Sequence, residues 1–178
     1  MVTDTITNTT QKITSAATSI STLNRAHKEI VGKYPLDTSI LDIGCGKYEV
    51  NKEYADINGF AWFGIDPYNR TPEYNNASLK ALYNWCDAPD IIMLNNVLNV
   101  IAEDNVLMDV LNQVCNYAGD NTDIYITIYE GDKSGVGKIT TKGYQRNEKL
   151  IKYTDYISEW FDIVRKVGSN IVKCRKVA

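Results

Sequence analysis

The residues best placed to do chemistry stand at the end of one short apolar run. In SILDIGCG, Asp42, Gly44, Cys45 and Gly46 follow Ile40 and Leu41, and a second acid, Asp66, lies 22 positions beyond Gly44 at the end of FAWFGID. Glycines at a strand-to-helix turn let backbone N–H groups approach a ligand, and the start of the next helix adds partial positive charge. An acid at the end of the second strand can accept hydrogen bonds from both vicinal hydroxyls of a ribose, and about twenty residues is the spacing at which nucleoside-binding folds place it. Strand, glycines, helix and acid at this spacing together predict a nucleoside site.

The same stretch argues against a nicotinamide dinucleotide. G-x-G-x-x-G needs a third glycine for close packing at the pyrophosphate, and that position holds Glu49. A nucleoside with a sulfonium, an amino-acid tail and no phosphate fits better. Other chemistries have little to build on. His27 is the only histidine, so neither a Ser-His-Asp triad nor a His-ligated metal site is supported; it is expected to pack or cap. Cys45, Cys86, Cys115 and Cys174 form no C-x-x-C pair and read as reduced, mostly buried thiols. GDKSGVGK is not a Walker loop, since five residues separate Gly131 from Gly137 and Ile139 follows Lys138.

Several elements must position these groups. Ile13, Ala16, Ala17, Ile20, Leu23, Ile30 and Val31 recur at helical spacing and predict an N-terminal helix ending near Gly32 and Pro35, after a first dozen polar residues expected to fray. SILDI suits a strand buried on both faces, KYEVNKEYADING a helix stopped at Gly59, and FAWFGID a second strand. PYNRTPEYNNA reads as a loop and SLKALYNW as a short helix; DIIMLNN is a strand, AEDNVLMDVLNQVCNYAG a helix and TDIYITIYE a strand. After a basic, glycine-punctuated loop, IKYTDYISEWF reads as helix, and FDIVRKVG and NIVKCRKV as strands joined at Gly168-Ser169-Asn170. This order predicts an α/β, Rossmann-like three-layer sandwich with a mostly parallel sheet and a C-terminal antiparallel hairpin. Residues 1–35 would be a polar segment and helix packed on the core formed by 36–178.

With 178 residues, 44% of them hydrophobic, the chain suits one domain. No run reaches the roughly 18 apolar residues of a membrane span and the start lacks a secretory pattern, so cytoplasm, or host cytoplasm for a phage protein, is the expected location. The net charge of −3 hides an asymmetry, −9 over residues 1–130 against +6 over 131–178. Lys133, Lys138, Lys142 and Arg146, with Tyr144 among them, could follow a phosphate backbone, or the loop could be a lid. A homodimer or a host protein is the other partner left open.

LDIGCG, FGIDPYN and DIIMLNNVLNVI resemble the class I S-adenosylmethionine-dependent methyltransferases, and DIGCGKY, DPYN, NNVLNVI and GVGK...GYQRN resemble a subgroup of small phage and bacterial methyltransferase-like proteins, over roughly residues 38–176. The resemblance implies that Asp42, Gly44, Cys45 and Gly46 hold the methionine part of S-adenosylmethionine, that Asp66 holds the ribose, and that Pro67 and Tyr68 lie near the adenine. Asn95 and Asn96 would face the cofactor tail and the methyl acceptor, and Glu130 could take a proton or orient the acceptor. The chain departs from the family at Tyr48, where a third glycine is usual, and between Asp66 and Asp90, too short for the usual helix, strand, helix passage. Trp85 and Cys86 are the adenine contacts that region could offer. The implied activity is methyl transfer to an unidentified acceptor, with nucleic acid in first place. The alternatives are a non-catalytic binding protein or a cofactor-cleaving enzyme. Neither an Asp/Asn-Pro-Pro-aromatic motif nor a Pro-Cys nucleophile of the DNA methyltransferases is present.

Overall fold

Three runs of apolar residues form the middle of the sheet because each is buried along its whole length: β1 (Ser39–Ile43), β3 (Ile91–Asn95) and β4 (Asp123–Thr127). Such continuous burial is the mark of parallel strands covered on both faces. The computed structural model describes residues 11–177, so the fraying expected of the first dozen residues falls mostly outside them. With β2 (Ala61–Ile65) the order is β2-β1-β3-β4-β8-β7, the first four strands parallel. The small hairpin β5 (Lys138–Thr140) and β6 (Gly143–Gln145) stands apart from this sheet. β7 (Phe161–Lys166) and β8 (Ile171–Lys176) form the antiparallel hairpin that completes it, β8 against β4.

Helices cover both faces. α1 (Arg25–Ile30) and α2 (Val50–Ile57) pack Ala26, Ile30 and Ala55 against Ile40, Trp62, Ile91 and Met93. On the other face α3 (Pro72–Trp85), α4 (Asp104–Tyr117) and α5 (Thr154–Ser158) enclose Leu41, Ile92, Leu94, Ile124 and Ile126. The result is the expected three-layer Rossmann-like sandwich. No described helix is long and apolar enough to cross a membrane.

Register sets the site. Ile43 pairs with Ile65 and Leu94, and Asn95 with Thr127, so β1, β2, β3 and β4 end along one edge. The loops that follow them therefore meet there, as open α/β sheets require of a ligand crevice.

Two elements differ from the sequence reading. The N-terminal helix is not continuous: a single 3₁₀ turn at Ala16–Thr18 and the six-residue α1 are separated by non-helical chain. Ser and Thr fill this stretch, and their side chains bond to backbone in competition with helix, as Thr18 does to the Ser15 carbonyl. The supposed loop 67–77 is instead mostly α3, which starts at Pro72 with Thr71 Oγ1 accepting from Tyr74 N–H. Proline at the first helical position starts a helix rather than breaking one. No strand lies between β2 and α3, so β2 is the sheet's edge.

Candidate functional site

The glycine loop is shaped by its backbone. Gly44 and Gly46 have φ of +74° and +72°, values that glycine adopts without a Cβ penalty. The N–H groups of Gly44 and Cys45 both donate to Ile65 O, at 2.8 and 3.2 Å, which folds the loop over the end of β2. A Cβ on Gly44 would stand 2.5 Å from Val97 Cγ2 and one on Gly46 2.5 Å from Ser19 Oγ, so the loop is closely approached from two sides.

Asp66 holds the loop from the other strand. Its Oδ2 accepts from Gly46 N–H at 2.9 Å and from Asn69 Nδ2 at 3.2 Å, and its Oδ1 from Tyr68 and Asn69 N–H, both at 2.8 Å. A carboxylate offers about four acceptor positions, so this one is fully engaged with its own chain. Asn75 fixes the residue in turn: its Oδ1 accepts from Asp66 N–H and its Nδ2 donates to Asp66 O. Arg70 closes the ring, with Nε donating to Gly46 O at 2.8 Å and Nη2 meeting Glu49 at 2.6 Å. Glu49, the acid where a dinucleotide site would have glycine, is thus spent on Arg70.

Asp42 lies under the loop, fully buried, with its oxygens taking Asn51 Nδ2 at 3.1 Å and Asn95 Nδ2 at 3.5 Å. His27 Nε2 is 3.5 Å from Asp42 Oδ2, and this histidine packs within the core as expected. Burial drives both groups toward neutrality, pushing the Asp42 carboxyl up to about 7 and the imidazole down to about 3. Burial also pushes the Cys45 thiol up, so this cysteine is an inert wall rather than a nucleophile.

These groups meet in one cavity of about 160 Å³. Gly44, Cys45, Gly46, Asp66, Pro67, Tyr68, Asn95 and Asn96 all line it; Asp42 touches it only through Asn51 and Asn95. Beyond Asn96 the wall continues through Val97, Val106 and Val110 to Gln113. Asp66 is its only lining residue with a formal charge among the described residues. Glu130 is not brought to it: Oε1 accepts from Leu150 N–H at 2.8 Å and Oε2 pairs with Lys133 at 3.1 Å. Trp85 and Cys86 lie elsewhere too, because α3 runs back down the sheet and leaves Cys86 Sγ beside Ser39 at the start of β1.

The sequence reading missed the roof, which is residues 11–24, and the brackets Asn51, Asn75 and Arg70. Nothing in a lone Asn or Arg marks such a role before the fold is known. The basic loop also changes character. Arg146 is 6% exposed and donates to the Ile101 and Ala102 carbonyls and to Asp104, while Lys133 and Lys138 pair with Glu130 and Asp132.

No protein-family model and no curated protein matches the chain. Solved structures do share its architecture. The mitomycin 7-O-methyltransferase MmcR matches with a TM-score of 0.56 and 12% identity over 85% of this chain and 53% of its own, so this chain spans about half of that enzyme. A TehB-like SAM-dependent methyltransferase from Corynebacterium glutamicum gives 0.53 and 16%, covering 85% and 86%. The sugar N-methyltransferase KedS8 from Streptoalloteichus gives 0.54 and 9%, covering 85% of each. At such identities the likeness establishes the fold alone, the Rossmann-like three-layer sandwich that these three enzymes share with this chain.

Proposed function

We propose that this chain binds S-adenosylmethionine along the carboxyl edge of β1, β2 and β3 and transfers its methyl group. The observation that carries this reading is the cavity's charge. A Gly-x-Gly loop and an acid 20 residues later share one wall, joined by the Gly46 to Asp66 hydrogen bond, and no Lys, Arg or His lines the cavity among the described residues. A phosphate-bearing nucleotide would meet one carboxylate and no cation there, whereas a sulfonium nucleoside meets a charge of opposite sign. When bound, the cofactor would supply an electrophilic methyl carbon activated by the positive sulfur.

The residues would contribute by placement. The glycine loop offers main chain to the amino-acid tail. Asp66, whose acceptor positions are held by Gly46, Tyr68 and Asn69, meets the sugar by exchanging the longest of these bonds, that of Asn69 Nδ2 at 3.2 Å, for a ribose hydroxyl. Pro67, Tyr68 and Val97 give apolar contact to the base, and Asn95, pinned by Thr127 Oγ1 at 3.1 Å, sits beside the reacting end. Holding the acceptor in line with the methyl is the main catalytic task in such a displacement. Calorimetry with S-adenosylmethionine and S-adenosylhomocysteine tests the reading, with micromolar binding of both expected. Binding of neither rejects it. Formation of cleavage products without any acceptor would reassign the site to cofactor breakdown.

A further inference from the structure

Every N–H of residues 44–47 is already bonded. Gly44 and Cys45 donate to Ile65 O, Gly46 to Asp66 Oδ2, and Lys47 to Ser19 Oγ at 3.0 Å. The first three partners stand at the end of β2, so those bonds belong to the fold of the loop itself. The fourth comes from residues 11–24, a strap held by Lys12 N–H on Glu103 Oε1 at 3.3 Å and by Asn24 N–H on Asn51 Oδ1 at 3.2 Å. Carbonyl oxygens of the loop, with two lone pairs each, can still accept from an ammonium group. A carboxylate finds no amide among residues 44–47 left to donate to it.

Ser19 supplies the missing donor. It lines the cavity, and its hydroxyl carries one hydrogen beside two lone pairs. Lys47 N–H occupies a lone pair, whereas the hydrogen has no acceptor among the described residues. The neighbouring Thr18 differs, because its hydroxyl donates to Ser15 O, and the Asn51 and Asn95 amides face Asp42. Of the donors that line the cavity, Ser19 is the one bonded to the glycine loop. An amide donating to a hydroxyl oxygen polarises it and strengthens its own donation. α2 begins at Val50, three positions past Lys47, with no side-chain cap, and the acid before it, Glu49, is paired with Arg70. The partial positive charge of that helix start favours an anion nearby.

Building on the cofactor reading above, we propose that Ser19 binds the carboxylate of the cofactor's amino-acid tail, with Lys47 N–H donating to Oγ and the hydroxyl proton donated to the carboxylate. The glycine loop thus reaches the carboxylate through a side chain of the strap, while its carbonyls face the ammonium. Ser19 makes the site selective for nucleosides whose tail is a whole amino acid over those whose tail ends in an amine alone.

The test compares S-adenosylmethionine with its decarboxylated form, which keeps the sulfonium and the amine and lacks the carboxylate. Calorimetry gives the ratio of their affinities in the parent and in Ser19→Ala. Loss of a hydrogen bond to a charged group should lower this ratio by ~10-fold or more in the variant. Comparing the ratio between the two proteins cancels both the difference in ligand charge and any general loosening of the strap. The proposal is overturned by a ratio that stays within about 2-fold of the parent's, which would place the carboxylate elsewhere. It is equally overturned by a ratio that rises, since the hydroxyl would then compete with the carboxylate for the Lys47 amide. If neither nucleoside binds the parent, the cofactor reading fails first and this proposal goes with it.

Discussion

Replacing Asp66 by asparagine keeps its shape and removes its charge, which isolates what the carboxylate does for the loop. One amide oxygen can still accept from the Tyr68 and Asn69 N–H groups, which lie at 2.8 Å, but the amide nitrogen then faces Gly46 N–H and Asn69 Nδ2, both donors. A hydrogen bond to a charged group is worth about 1.5–3 kcal/mol, and a buried donor left unpaired is unfavourable by a further 1–3 kcal/mol. Because relaxation of the loop recovers part of this, Asp66→Asn should destabilise the fold by about 2–3 kcal/mol and Asp66→Ala by about 3–4 kcal/mol. Urea unfolding at pH 7 measures both, with the m-value showing that the transition itself is unchanged. S-adenosylmethionine affinity, measured where each variant stays folded, should fall by an order of magnitude or more. A melt of Asp66→Asn within about 0.5 kcal/mol of the parent, the range of ordinary surface changes, would show that the carboxylate does not hold the loop.

Three further substitutions test the core and the basic loop. His27, with a folded pKa of about 3 against 6.5, loses stability as pH falls below 6.5; Asp42, at about 7 against 3.8, loses it as pH rises from 3.8 toward 7. Between pH 5 and 7.5 each contributes about 2 kcal/mol of opposite sign, so the parent should be nearly flat, His27→Gln more stable at pH 5, and Asp42→Asn more stable at pH 7.5. Melts of the two variants that slope the same way would refute the pairing. Arg146→Met strands the Ile101 and Ala102 carbonyls, while the lost Asp104 pair counts for little because Asp104 is 63% exposed. A loss of about 2–3 kcal/mol in urea unfolding is expected, and an unchanged midpoint would return Arg146 to the surface.

The parallel core was legible because β1, β3 and β4 carry unbroken apolar runs, and the glycine loop because only glycine suits its two positive φ values. α3 was misread because its N-terminal half, PEYNNA, is polar, and Pro72 punctuates a loop as readily as it begins a helix. The strap had the apolar spacing of a helix, but of those apolar residues only Ile20 lines the cavity, and the strap meets it otherwise through polar Gln11, Ser15, Thr18, Ser19, Thr22 and Asn24. Arg146 looked like any other basic loop residue until Ile101 and Ala102, more than forty positions away, proved to be its partners. Such contacts depend on tertiary approach, which local composition does not record.

The ring of Ile65, Asp66, Asn75 and Arg70 around the glycine loop has an entropic consequence. Ordering a residue's backbone opposes association by about 1–2 kcal/mol, and here folding has already frozen the loop before any ligand arrives. Affinity then answers to rigidity as well as to contact, so a change at Asn75, which does not line the cavity, can loosen the grip on a molecule it never meets.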